Sequence, residues 1–190
     1  PYCPDPKPCT QAAGDTNATF LIMNGADINV LDENGNTALM LAVRNDNTEI
    51  AILLIENGAD IKAKSDSGVT LLMEAARNRN YEVAKFLIEN GADVNSKDQS
   101  GWTVMMYAAF KERNEIAILL IENGADINVQ DENGYTALIL AVRYRKYEVA
   151  KFLIENGADI NDIKADSDET LLMWAAKERR HDVANFLIEN

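Results

Sequence analysis

The sequence predicts an all-α solenoid of helix-turn-helix units joined by protruding β-turn or hairpin loops. Three observations predict it. The string Asn-Gly-Ala-Asp recurs at Asn24, Asn57, Asn90, Asn123 and Asn156, always 33 residues apart. Between these strings a threonine recurs at Thr37, Thr70, Thr103, Thr136 and Thr170, each followed by apolar residues. The segments behind each threonine and before each Asn-Gly carry apolar residues at helical spacing. A fixed period of this length marks stacked supersecondary units, each burying its apolar face against a neighbour.

The stretch from Asp32 to Lys64 shows how one unit is built. Thr37 is an N-cap for a short first helix over TALMLAVRN. Asp46 and Asn47 interrupt the pattern. The second helix follows in TEIAILLIEN, with Glu49 in its first turn, where the helix dipole favours an anion. Leu53 and Leu54 face the core, and Gly58 supplies the left-handed residue that closes the helix. The polar stretch ADIKAKSDSG, with Ile61 as its one large apolar anchor, is a loop or β-turn leading to the next threonine.

Composition bounds the function. The chain has 190 residues, 47% hydrophobic and 26% charged, so it can build a core. Ten Gly and four Pro exclude collagen-like and low-complexity classes. No apolar run is long enough to span a bilayer, and Ile116 to Ile121 is one short helix face. A net charge of −13 argues against nucleic acid as the main partner, because phosphate binding needs excess Lys and Arg. One His and two Cys leave little for catalysis or metal binding. No cofactor and no metal site are expected.

Both cysteines, Cys3 and Cys9, lie in PYCPDPKPCT with all four prolines. Two readings stand. A Cys3–Cys9 disulfide ring would pin an extended N-terminal arm and favour an extracytoplasmic location. Two free thiols on a leader would fit the cytoplasm.

Helix, turn, helix and protruding turn at a period of 33 resemble the ankyrin repeat. The matching motifs are Gly35, Gly68, Gly101 and Gly134 two residues before their threonines, the pairs Ala75/Ala76, Ala108/Ala109 and Ala175/Ala176, and the Asn-Gly-Ala-Asp strings. The resemblance covers residues 10–190. It departs from the family in lacking Thr-Pro-Leu-His. The proline column holds Ala38, Leu71, Val104, Ala137 and Leu171, and the histidine column holds Met40, Met73, Met106, Ile139 and Met173. Thioether packing is expected to replace the histidine relay. Asp168 stands where the last loop glycine is due. The expected organisation is an arm over 1–9, a truncated first repeat over 10–31, full repeats over 32–64, 65–97, 98–130 and 131–164, and a last repeat over 165–190, with one residue inserted between Asn161 and Thr170. The array stops one residue before a glycine is due; a longer parent protein and a natural C-terminal helix are the two readings of that end.

The resemblance implies a non-enzymatic interaction module. The residues agree: His181 sits at a helix start with no Ser or Cys beside it, and the glycines end helices, so they present carbonyls rather than amides to an anion. Asp131 and Glu132 are read as loop-tip carboxylates in water. In the ankyrin family partners dock on the loop tips and the first-helix, concave face. Columns there vary between repeats, while the column of Leu53, Phe86, Leu119, Phe152 and Phe186 barely changes. The variable columns gather aromatics at Trp102, Tyr107, Phe110, Tyr135, Tyr144 and Trp174, the residue types richest in interface hot spots. For Tyr107 and Trp174, packing between neighbouring first helices is an equal alternative. Lys111, Arg143 and Lys177 edge the same face with positive charge, although cations at first-helix ends also complement the helix dipole. The expected partner is a protein or peptide with acidic and apolar side chains, bound by a monomer. Two rival readings are a structural segment of a larger protein with no ligand of its own and a groove for a small molecule or glycan.

Overall fold

The computed structural model describes residues 20–161 and 169–190. Residues 20–23 are helical, and ten further helices follow in five pairs. These are α1 (Ala38–Arg44) with α2 (Thr48–Glu56), α3 (Leu71–Asn78) with α4 (Tyr81–Glu89), α5 (Val104–Lys111) with α6 (Asn114–Glu122), α7 (Ala137–Arg143) with α8 (Tyr147–Glu155), and α9 (Leu171–Lys177) with α10 (His181–Glu189). The Cys3/Cys9 pair, Asp168 and the expected insertion site lie outside the described residues or overlap their edge.

The expected caps form. Thr37, Thr70, Thr103, Thr136 and Thr170 each accept from the backbone N–H three residues on, at 3.2–3.3 Å. At Thr70 and Thr103 the cap is reciprocal. Their own backbone N–H groups donate to Met73 Sδ and Met106 Sδ, both at 3.4 Å. The thioether thus stands where a capping box usually places Glu or Gln. At the other end of each pair, Gly58, Gly91, Gly124 and Gly157 adopt φ of 80–93° and close the second helix.

Packing runs from one pair to the next. The first helices α1, α3, α5 and α7 lie side by side in chain order, backed by α2, α4, α6 and α8. Their contact buries Leu39, Leu72, Met105 and Leu138 to 1% exposure or less, together with Met40, Met73, Met106 and Ile139. At about 25 cal/mol per Å² of apolar surface, each such side chain contributes roughly 1.5–3 kcal/mol. The methionine column therefore packs as core over four layers. Met173 is the exception at 58% exposed, and Leu172 is 43% exposed.

The loops carry a second, polar register. Asp32, Asp98 and Asp131 each start a loop and accept from two backbone amides on it: Asp32 from Asn34 and Asn36, Asp98 from Ser100 and Trp102, Asp131 from Asn133 and Tyr135. Successive loops also touch directly. Gln99 N–H donates to the Ser67 carbonyl and Glu132 N–H to the Ser100 carbonyl. A Cβ on Gly101 would lie 3.0 Å from the Glu132 nitrogen, so that approach requires glycine as much as the φ of 79° does. A further ladder links the turns after the second helices. Asn29 accepts from Asp60 N–H, Asn95 from Asp126 N–H and Asn128 from Asp159 N–H, at 2.8–3.1 Å. Asn95 and Asn128 also donate to the carbonyls of Gly124 and Gly157, both at 3.2 Å.

The last pair is held differently. Tyr147 donates to Asp182 at 2.6 Å, and Arg145 and Arg180 pair with the same carboxylate at 3.0 and 3.4 Å. The Tyr147 ring stacks on Phe186 with centroids 5.0 Å apart. The Tyr147 hydroxyl is the main cause holding the Asp182 carboxyl down at about 2, against an ordinary 3.8.

Two predictions follow from these inter-repeat bonds. Asn95→Ala or Asn128→Ala should lower the unfolding free energy by about 1 kcal/mol in urea melts, whereas Lys62→Ala, at the equivalent position, should leave it unchanged. A carboxylate whose pKa falls on folding stabilises the fold above its unfolded value, and that contribution is lost as pH drops through the folded one. Acidification from pH of about 4 towards 2 should therefore raise hydrogen exchange in α10 first. In Asp182→Asn that exchange should already be raised at neutral pH and change less across the window.

Candidate partner-binding groove

The variable columns place the aromatic residues in two clusters rather than one frame. The first is built on the loop before α5 and on α5 itself. Trp102 packs edge-on against Tyr107, with centroids 5.1 Å apart at 60°, and against Phe110, 5.7 Å apart at 73°. Phe110 meets Tyr144 edge-on at 4.7 Å. These arrangements match the quadrupole preference of aromatic pairs. Lys111 Nζ lies 5.0 Å from the Phe110 centroid, and the Arg77 guanidinium lies 5.9 Å from that of Tyr107.

Asp98 anchors this cluster. One oxygen takes the two loop amides, and the other accepts from the Tyr107 hydroxyl at 2.7 Å. Burial is the main cause pushing the Tyr107 phenol well above its ordinary 10, and the hydrogen bond to Asp98 adds to it. Around these residues runs a groove of about 400 Å³ lined by Val69, Arg77, Trp102, Tyr107, Phe110 and Lys111, with Ser67 and Ser100 at its loop edge. The groove therefore lies between the α3 and α5 layers, one layer earlier than the sequence placed it.

The second cluster closes on itself. The Arg143 guanidinium lies 5.0 Å from the Tyr135 ring and 5.1 Å from the Trp174 ring, and it donates to the Tyr135 hydroxyl at 2.9 Å. Arg180 lies over Trp174 at 5.5 Å. Lys177 pairs with Glu169 at 2.7 Å. Arg143 and Lys177 thus have structural partners, and Trp174 is half-buried and packed against the core with the two guanidinium groups on its ring. Lys111 is exposed. Trp102 and Tyr135 are not bare tips: both are half-buried and packed against the core.

Asp131 also departs from expectation. Glu132 is exposed, but Asp131 is buried at 7% exposure, and its Oδ2 has no hydrogen-bond partner. Tyr107 serves the matching oxygen of Asp98, whereas that column holds Leu140 beside Asp131. The sequence reading passed over Val69, Arg77 and Asp98 as groove residues. Val69 and Arg77 stand in the same variable columns as Trp102 and Phe110, and the spacing of Asp98 from Thr103 repeats at Asp32 and Asp131.

Glu74 modifies the charge at the groove edge. It is 8% exposed and lies 3.3 Å from Arg77 and 3.6 Å from Arg44. Arg77 is therefore partly neutralised, and Lys111 is the more open cation. No helix among the described residues is long and apolar enough to cross a membrane.

The Tyr107–Asp98 bond gives a direct prediction. A phenol whose pKa rises on folding ionises late, so an ultraviolet titration should show Tyr107 still protonated well above pH 10, with Tyr147, half-buried and bonded to Asp182, also late. Asp98→Asn should bring the Tyr107 transition closer to the others.

No curated protein sequence matches the chain. The family model described as ankyrin repeats matches in three copies, over residues 9–98, 95–164 and 130–190. Proteins of this family are generally protein–protein interaction modules and typically non-enzymatic. The helix pairs, the loop register and this match together place the chain in the ankyrin-repeat family.

Proposed function

We propose that the chain is a non-enzymatic module that binds a peptide or protein segment in the Trp102 groove on its concave, first-helix face. The observation that carries this reading is the groove itself. Three aromatic rings stand half-buried around about 400 Å³ of open space, with Lys111 and Arg77 on its edge. Half-buried Trp and Phe leave apolar surface for a partner to cover, and such anchors dominate interface energetics. The cations favour an acidic segment, and the rings favour an apolar side chain beside the acid. Tyr135, Arg143, Tyr144, Trp174 and Lys177 belong to the same face. In this reading Tyr144 extends the rim through Phe110, while the Arg143 cluster chiefly holds the last layers.

Random-peptide selection on the immobilised chain tests this. Enriched sequences should combine Asp or Glu with a large apolar residue. Phe110→Ala should weaken a selected peptide by about 2 kcal/mol, as loss of a buried anchor does. Charge reversal at Lys111 should mainly slow association and flatten its salt dependence. Lys85→Ala and Lys151→Ala, on the second helices, should change nothing. Trp102→Ala should weaken binding too, but it should also lower the unfolding midpoint, because its ring packs on Tyr107 and Phe110. Peptides lacking acidic residues, or binding that survives Phe110→Ala, would overturn the assignment.

A further inference from the structure

The asparagine ladder between the turns has one missing rung. Asn29, Asn95 and Asn128 each stand two residues after the aspartate of Asn-Gly-Ala-Asp, and each reaches the next turn. The equivalent residue after Asp60 is Lys62, which is exposed and whose side chain has no acceptor to offer. The next turn therefore keeps the Asp93 N–H and the Gly91 carbonyl without the partners that their counterparts have. Asp126 N–H and the Gly124 carbonyl are both bound by Asn95, and Asp159 N–H and the Gly157 carbonyl by Asn128.

A crevice opens at the place of the missing rung. It has a volume of about 190 Å³ and is lined by Ile61, Leu72, Gly91, Ala92 and Asp93, with Lys62 and Lys64 also in its lining. At about 30 Å³ per water, that space holds several waters or one small side chain. Nothing in its lining overlaps the Trp102 groove.

We infer that this crevice is a second contact point and takes the primary carboxamide of a partner's Asn or Gln side chain. The molecule itself shows the geometry required. Where Asn95 and Asn128 occupy the matching position, the carboxamide oxygen accepts from the aspartate N–H at 2.8–3.1 Å, and its NH₂ donates to the glycine carbonyl at 3.2 Å. Asp93 N–H and the Gly91 carbonyl present the same donor and acceptor. A carboxylate would satisfy the N–H, and Lys62 and Lys64 would attract it, but it has no proton for the carbonyl. A hydroxyl would have to make both bonds through one oxygen. The carboxamide carries acceptor and donor on neighbouring atoms, and this is the arrangement Asn95 and Asn128 use.

Amide chemical shifts of the intact chain test this with two capped tripeptides, Ala-Asn-Ala and Ala-Asp-Ala. The Asn tripeptide should move the Asp93 and Ala92 resonances saturably. The Asp tripeptide should bind roughly threefold or more weakly, the cost of about one net hydrogen bond. Lys62→Asn supplies the missing rung from within the chain, so in that variant Asp93 should no longer respond. Lys62→Ala should respond like the parent protein. The inference is overturned by a response that persists in Lys62→Asn, by an Asp tripeptide that binds as well or better, by loss of response in Lys62→Ala, or by no saturable shift at all. Trp102→Ala leaves this crevice intact, so its outcome stands apart from that of the Trp102 groove.

Discussion

Each layer of this protein depends on the next one to bury its first-helix face. A helix of seven or eight residues is too short to be stable alone in water. Leu72 and Met73 become core only because α3 lies between α1 and α5. The polar devices serve that contact. The Thr caps start every first helix at the same residue, the loop aspartates fix the loop that delivers it, and Gly101 lets the next loop come close enough to hydrogen-bond. In α9, the last first helix described, the same columns are open, with Met173 and Leu172 exposed. Charge and aromatic contacts at Asp182 and Phe186 then do what apolar burial does elsewhere.

This dependence explains why function gathers in the variable columns. A residue such as Leu72 must fit two neighbours at once and has little freedom to change. The residue before each threonine and those near the end of each first helix meet such demands on one side only. There Asn36, Val69, Trp102 and Tyr135 can differ without disturbing the stack. Trp102 and Phe110 occupy these columns in one layer, while Val69 and Arg77 hold the smaller and charged versions in the layer before. That step from small to large leaves the open space of the groove.

The fold was legible because period, caps and glycines all point the same way along one line of residues. The aromatic face was legible by column, but its partition was not. Which ring meets which depends on distances between layers, and nothing in sequence spacing separates Phe110–Tyr144 contact from Tyr135–Arg143–Trp174 stacking. The placement of Asp131 failed for a related reason. A loop-tip carboxylate is usually solvated, and only the close approach of successive loops buries this one. The asparagine ladder was visible as a residue repeated after four of the five Asn-Gly-Ala-Asp strings, yet its partners lie 29–31 residues away, so the role of Asn95 and the consequence of Lys62 emerge only in three dimensions.

The most direct measurement is the fluorescence of Trp102 in a Trp174→Phe variant, where it is the sole tryptophan, during titration with an acidic, apolar peptide selected on the parent protein. The account predicts that the emission shifts to the blue and that iodide quenching falls as the peptide saturates, because the partner covers the indole. A peptide that binds fully while Trp102 emission and quenching stay unchanged would contradict it.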